Sequence, residues 1–355
     1  MTLSARRLNR ALLARQLLLV RSPMRIGKAL QQVGGLQAQY APSPYIRLWS
    51  MLEGFRLGDL TRALERRRAV QGTLMRSTIH VVSARDYWCF AAGIGPSRRE
   101  WWLQTWGKHE PAANVDFAAT RLERTLAGRT WHRKELDALL PEKSSTVWSG
   151  TFVPLVRVPP SGTWERRRAD LFRLAAEWVA PEAVTEDDGL EHLLRRYLAA
   201  FGPSTLADAA SWAGVTRAKL EPIAGRLRLR TLNDEDGKPL LDLPRAPLPP
   251  EDTRAPVRFL GTWDAALLVH CRRTQLLPER FRPLVFSTKR PQSVATFLID
   301  GTVAGSWRVE RTARKATLRL EPFERLPRGA RDELRDEGGR LVRFHEPDAT
   351  SYAVR

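Results

Sequence analysis

Two glutamines flank one small apolar residue at Gln37-Ala38-Gln39, inside the segment GGLQAQYAPSP that begins at Gly34. In an extended backbone, residues two apart project to one face, so the two amides would converge and Ala38 would turn away. Amides are too weak to act as a strong general base. They can hold a water by accepting and donating hydrogen bonds, and their carbonyl dipoles can face a developing positive charge. That chemistry suits a reaction whose leaving group departs without needing a proton. The competing reading of the same residues is a pair of loop glutamines that only satisfies backbone groups.

Other reaction types lack their residues. The six histidines (His80, His109, His132, His192, His270 and His345) are scattered, with no metal-ligand spacing. There is no P-loop, no GxGxxG opening a helix and no GxSxG. No clustered carboxylates suggest a two-metal site. The nearest lysine in sequence to the glutamines is Lys28, so a Schiff-base step is not indicated. Asp264, in TWDA, reads as structural.

The elements around the motif follow from periodicity. Leu8, Leu12, Leu13 and Leu17 have helical spacing, which predicts an amphipathic helix over 4–20, broken by Ser22-Pro23. Ile26 to Val33 reads as a short helix stopped by Gly34-Gly35. Tyr45–Leu52 and Asp59–Arg67 read as two more. In LMRSTIHVV, Met75, Ile79 and Val81 alternate with Arg76, Thr78 and His80, the pattern of a half-buried strand. Arg76, Thr78 and His80 would share its outer face and are candidates for contact with a nucleic-acid backbone. Helices followed by a strand pair suggest a winged helix.

The pattern recurs in LERTLAGRTWHRKELDALLPE with VPLVRVPPSGTWERRRADLFRLA. It recurs again in RRYLAAFGPSTLADAASWAGVTRAKLEPI with RLRLRTLNDEDGKPLLDL, which turns at Asp236-Gly237. After the Pro-rich LPRAPLPPEDTRAP, strand-like runs with a turn at Asp300-Gly301 predict a β-rich end. The expected fold class is α+β. Three tandem winged-helix modules in a concave arrangement (1–110, 111–187 and 188–250) precede a barrel-like domain at 251–355. Arg311, Arg314 and Lys315 fall on a predicted hairpin tip and are candidate phosphate contacts. The Trp-rich WWLQTW (Trp101, Trp102, Trp106) reads as core packing in preference to a stacking platform.

Composition names the class of partner. Across 355 residues the net charge is +19 and the pI is near 11.0, which points to a polyanion, nucleic acid first. The two cysteines, Cys89 and Cys271, form no CxxC, and a cytoplasmic compartment fits. The basic, leucine-rich start reads as a first helix and not a signal peptide. No run reaches the roughly 18 apolar residues of a membrane span.

The chain resembles the AlkZ-like winged-helix DNA glycosylases. LSARRLNRALLARQLLL, GLQAQYAPSPYIRLWSMLEGF and LMRSTIHVVSARDY carry the resemblance, with RRYLAAFGPSTLADAASWAG, GTWDAALLVHCRRT and FLIDGTVAGSWR further on. In that family a glutamine–apolar–glutamine motif is the catalytic signature, which Gln37-Ala38-Gln39 matches. A sister branch, YcaQ-like, has glutamine–apolar–aspartate there. With Gln39, the chain resembles the crosslink-unhooking branch that contains the azinomycin self-resistance enzyme. The resemblance implies no cofactor and a double-stranded DNA partner carrying alkylated or crosslinked guanine, and a monomeric enzyme is expected. For a cationic N7-alkylguanine, whose base leaves neutral, the chemistry then predicts water-mediated hydrolysis, with Gln39 placing the water and the Gln37 dipole facing the sugar. The rival class is a winged-helix transcription regulator without catalysis.

Overall fold

The computed structural model describes residues 1–106, 112–139, 150–268, 274–286 and 293–355. Helix α1 (Ala5–Arg15) starts where the Ser4 side chain accepts a hydrogen bond from the Arg7 amide. Helix α2 (Ile26–Val33) follows, then the two-residue strand β2 (Leu36–Gln37). Helices α3 (Pro42–Met51) and α4 (Leu57–Glu65) lead into strands β3 (Ala69–Thr73) and β4 (Ile79–Ser83). Strand β1 (Thr2–Leu3) lies elsewhere, paired in parallel with β8 (Arg230–Asp234).

The second helical group has α5 (Ala84–Trp106), α6 (Ala112–Leu126), β5 (Trp131–His132) and α7 (Arg133–Leu139). Strands β6 (Leu155–Arg157) and β7 (Leu171–Leu174) come next, followed by α8 (Ala175–Trp178). The third group is α9 (Glu186–Phe201), α10 (Leu206–Ala213) and α11 (Arg217–Arg226), with the hairpin of β8 and β9 (Pro239–Asp242). So three helical groups are each followed by an antiparallel strand pair, in the order read from sequence.

The first two strand pairs do not stand apart as separate wings. They join edge to edge through β3 and β6, giving one six-stranded sheet ordered β2-β4-β3-β6-β7-β5. Fusing the pairs buries edges that would otherwise expose unpaired backbone groups. Helices α5 and α9 pack along each other and bring the second and third groups together. They meet at Gly93 and Gly189, where a Cβ on Gly189 would lie 2.3 Å from the Gly93 nitrogen. Only two glycines allow backbones to approach this closely. One buried apolar cluster runs from Leu12 through Phe90, Tyr197 and Trp212 to Val303, so the core crosses every expected domain boundary.

The last segment contains β10 (Arg258–Leu260), a short helix α12 (Arg282–Val285), β11 (Thr296–Ile299), β12 (Thr302–Arg311) and β13 (Lys315–Pro322). Helix α13 (Arg328–His345) and β14 (Ser351–Val354) complete it. Among the described residues these strands form an open sheet ordered β10-β11-β12-β13-β14, not a closed barrel. Helix α13 packs on β13 and β14, and Leu334, Leu341 and Val342 enter the second apolar cluster. That helix was not expected in a β-rich end. Leu341 and Val342 follow Leu334 by seven and eight residues, a helical spacing that a strand reading of short segments overlooks.

Several arginines are structural. Arg15 makes a two-pronged contact with Asp242, at 2.7 and 3.0 Å, with both side chains fully buried. Arg47 pairs with Asp264 at 3.3 Å, and Asp264 also caps the turn at Ala265–Leu267. Asp264 therefore has a structural role, as read.

Candidate active site

The catalytic candidates sit where α2 hands over to the sheet. Gly34 ends α2 in the left-handed region at φ +73°, and Gly35 follows at φ +83°. The amide of Gly35 reaches back to the Leu30 carbonyl at 2.9 Å, closing the helix end. A Cβ on Gly35 would fall 2.8 Å from a Val82 methyl, so residue 35 must be glycine both for its φ and for its contact. The reversal delivers Leu36 and Gln37 to β4, with Leu36 opposite Val81 and Gln37 opposite His80. The Ala38 amide continues the ladder to the Ile79 carbonyl at 2.7 Å.

Alternation then sorts the side chains. Leu36 (3% exposed) and Ala38 (2%) enter the apolar cluster, which leaves Gln37 and Gln39 on the other face. Gln37 is buried, 7% exposed, while Gln39 is exposed. Each amide is held by one donor. The Gln39 oxygen accepts from the Ile79 amide at 2.9 Å. The Gln37 oxygen accepts from an Arg76 Nη at 2.9 Å. A backbone N–H and a guanidinium only donate, so in both cases the atom they meet is the oxygen. The free edge of each glutamine is therefore its NH₂, plus the second lone pair of its oxygen.

Arg76, Thr78 and His80 do not form the exposed strand face expected of them. The strand starts only at Ile79. Met75–Ser77 is a tight 3-10 turn, with Arg76 at φ +53°. The Arg76 guanidinium is turned inward, between Gln37 and the Trp212 carbonyl, which it meets at 2.7 Å. Burial lowers its pKa to about 10, so it stays charged at neutral pH. The Thr78 hydroxyl donates to the Met75 carbonyl at 3.1 Å. His80 is 2% exposed, and its Nδ1 lies 3.0 Å from the Thr78 carbonyl, so that nitrogen carries the hydrogen. Burial first, and Arg76 second, push its pKa down to about 3. A neutral, buried imidazole cannot serve as a phosphate contact in this conformation.

The profile of the family described as DNA glycosylase AlkZ-like matches residues 30–344. The chain belongs to the AlkZ-like DNA glycosylases. It is a DNA glycosylase, and DNA is its substrate. Among solved structures, the Streptomyces sahachiroi DNA glycosylase AlkZ superposes with a TM-score of 0.80 over 100% of both chains at 19% identity, so the two share a fold. Comparison with curated proteins finds no match.

In this AlkZ-like glycosylase the predicted hairpin tip is present. Arg311 ends β12, Lys315 begins β13 and Arg314 is exposed between them. A chain of contacts runs from this tip to Tyr40, the residue after Gln39. Arg311 lies 3.9 Å from Glu346, and Glu346 bonds His345 at 3.0 Å. The ring of His345 packs edge-on against Trp164, with centroids 4.9 Å apart. Arg167, three residues on, reaches the Tyr40 hydroxyl at 3.2 Å, next to Gln39. Trp164 and Arg167 were missed in sequence, although TWERRR interleaves an aromatic with basic residues as nucleic-acid contacts often do.

A basic concavity of about 770 Å³ lies at the other end of α2, lined in part by Arg25, Lys28, Arg66, Arg68 and Arg85. Trp102 is buried against Phe152, and Trp101 is exposed. The Trp106 side chain, His109, His270 and Cys271 lie outside the described residues. Among the described residues, no three His, Cys, Asp or Glu side chains cluster as metal ligands, and no helix is long and apolar enough to cross a membrane.

Proposed function

We propose that this glycosylase hydrolyses the N-glycosidic bond of cationic N7-alkylguanine in duplex DNA, including guanine held in an interstrand crosslink. The observation that carries this reading is the pair itself. Two amides share one face, and the side-chain contacts of Gln37 and Gln39 are to Arg76 and the Ile79 amide, not to a carboxylate. Among the described residues, these contacts bring no strong acid or base to the pair. A base that already bears a positive charge asks for neither, because it leaves as a neutral molecule.

Water attacks C1′ as the C1′–N9 bond breaks. The bonding pair passes to the base and cancels its charge, and the proton from the water is lost to solvent. The products are an abasic site and a neutral alkylguanine. Gln39 places the water through the free lone pair of its oxygen. A dipole of the Gln37 carbonyl facing the sugar fits less well than the sequence suggests, since that oxygen already faces Arg76.

The exposure of Gln39, beside an edge strand of the sheet, supports access to a base that cannot swing out of the helix. An ordinary glycosylase extrudes its base into a tight pocket, which a tether to the opposite strand forbids. A concave array of winged-helix modules around this edge would hold the duplex. The test is a denaturing gel of a duplex crosslinked through two N7-guanines, in the presence of EDTA. Unhooked strands with abasic sites are expected, and an intact crosslink alongside excised N7-methylguanine would restrict the activity to monoadducts.

A further inference from the structure

We propose that Arg76 is a positioning residue for the hydrolysis, acting through Gln37 and not as a DNA contact; this rests on the reading of Gln37 and Gln39 as the reacting pair. Its two Nη atoms are committed in diverging directions, one to the Trp212 carbonyl at 2.7 Å and the other to the Gln37 oxygen at 2.9 Å. The Trp212 carbonyl is at the C-terminal end of α10, where unsatisfied carbonyls and the helix dipole favour a cation. Among the described residues no carboxylate pairs with Arg76, so that helix end and the amide hold the charge between them.

The backbone fixes the arrangement. Arg76 adopts φ +53°, and its nitrogen would lie 2.9 Å from a Cβ placed on Gly214, the residue that ends α10. The turn that carries Arg76 is thus packed directly on the helix end that its side chain bonds. Gln37 is locked from the other side by its register opposite His80.

The consequence concerns which edge of Gln37 meets the substrate. With its oxygen on a guanidinium, the amide presents its NH₂ outward, and the adjacent charge polarises it into a stronger donor. Gln37 therefore meets an acceptor oxygen, on the sugar-phosphate or the water, and does not act as a carbonyl dipole toward a cation. Lysine cannot reproduce this, because a point ammonium lacks the planar fork that spans two fixed acceptors.

The experiment compares Arg76→Met, Arg76→Lys, Gln37→Ala and the Gln37→Ala/Arg76→Met double variant. Single-turnover excision of N7-methylguanine is measured beside duplex affinity as a function of salt, with thermal melts as the folding control. Both Arg76 variants should fall about 10–100-fold in rate, as supporting residues behind a reacting group do. The salt slope should not change, and the double variant should be no slower than Gln37→Ala. A slope reduced by about 0.9 would make Arg76 a phosphate contact and overturn the proposal, as would additive rate effects or a full rate in both variants.

The side-chain amide resonances of Gln37 give a readout that does not depend on turnover. They should shift in Arg76→Met and Arg76→Lys, and unmoved resonances would also overturn the proposal. If Gln37→Ala and Gln39→Ala keep the full rate while those resonances shift, the reading of the reacting pair fails instead, and Arg76 positions an amide that catalysis does not use.

Discussion

Gln39 stands exposed with its oxygen on the Ile79 amide, so its removal touches the reaction more than the fold. The freed amide can turn to solvent, whereas a misplaced water costs the transition state directly. Gln39→Ala should lower the single-turnover rate by about 10²–10³-fold, with duplex affinity and melting temperature close to wild type. A wild-type rate would reduce the glutamines to a loop feature.

His80 makes the opposite kind of prediction. Folded, its pKa lies near 3 against an ordinary 6.5, chiefly because it is buried and secondly because Arg76 is close. Between those values the unfolded chain takes up a proton that the folded chain refuses. Stability is therefore full above pH 6.5 and falls as the pH drops toward 3, by about 1.4 kcal/mol per pH unit for this one group. His345, also lowered by burial, adds with the same sign. The lowered carboxyl of Asp86 loses its contribution only below its ordinary 3.8. Denaturant melts between pH 6.5 and 4.5 should show the slope, and His80→Gln should reduce it to the share left by His345.

At the scale of elements, the crossing of α5 and α9 depends on two absent side chains. Gly189→Ala would put a Cβ 2.3 Å from the Gly93 nitrogen, and backbone cannot move aside as a flexible side chain can. A destabilisation of about 1–3 kcal/mol or more is expected from overpacking of this kind, measured by denaturant unfolding.

How far such elements could be read from sequence depends on whether their cause was local. Helix α2 occupies Ile26–Val33, the range its spacing and its two glycines predict, because propensity and a left-handed cap act within a few residues. The α3 helix starts at Pro42, earlier than the predicted Tyr45, since proline suits a first turn. The Asp236-Gly237 and Asp300-Gly301 turns formed where expected, with both glycines at positive φ.

The failures have long-range causes. Alternation over Leu74–Val82 indicated a strand, but packing against α10 bends Met75–Ser77 into a turn and draws Arg76 inward. Strand β1 finds its partner β8 more than two hundred residues away, and nothing in its two residues announces that. Gln37 and Gln39 were legible as a pair sharing a face. The donor on each oxygen was not, because both donors belong to the segment at 76–79.

For the whole molecule, the +19 charge overstates what is available to DNA. Arg10, Arg15, Arg47, Arg157 and Arg258 are buried, and Arg76 is spent on protein partners. Exposed cations remain at the hairpin tip, at Arg167 beside Tyr40, and around the concavity at the start of α2. If about six phosphates are neutralised, log K for an undamaged duplex should fall with log salt at a slope near −5. Arg311, Arg314 and Lys315 bracket the tip of the β12–β13 hairpin, and Arg311 pairs only loosely with Glu346, at 3.9 Å. A pair this open, near the surface, is worth little to the fold. Replacing all three with alanine should therefore leave the melting temperature near wild type. The magnitude of the salt slope should drop by about 2–3, because each neutralised phosphate contributes about 0.9 to it. Affinity should fall alike on every sequence, since phosphate contacts position the protein without reading bases. An unchanged slope in the triple variant would remove the hairpin from the DNA interface and leave the α2 concavity and Arg167 as the surfaces that carry the charge.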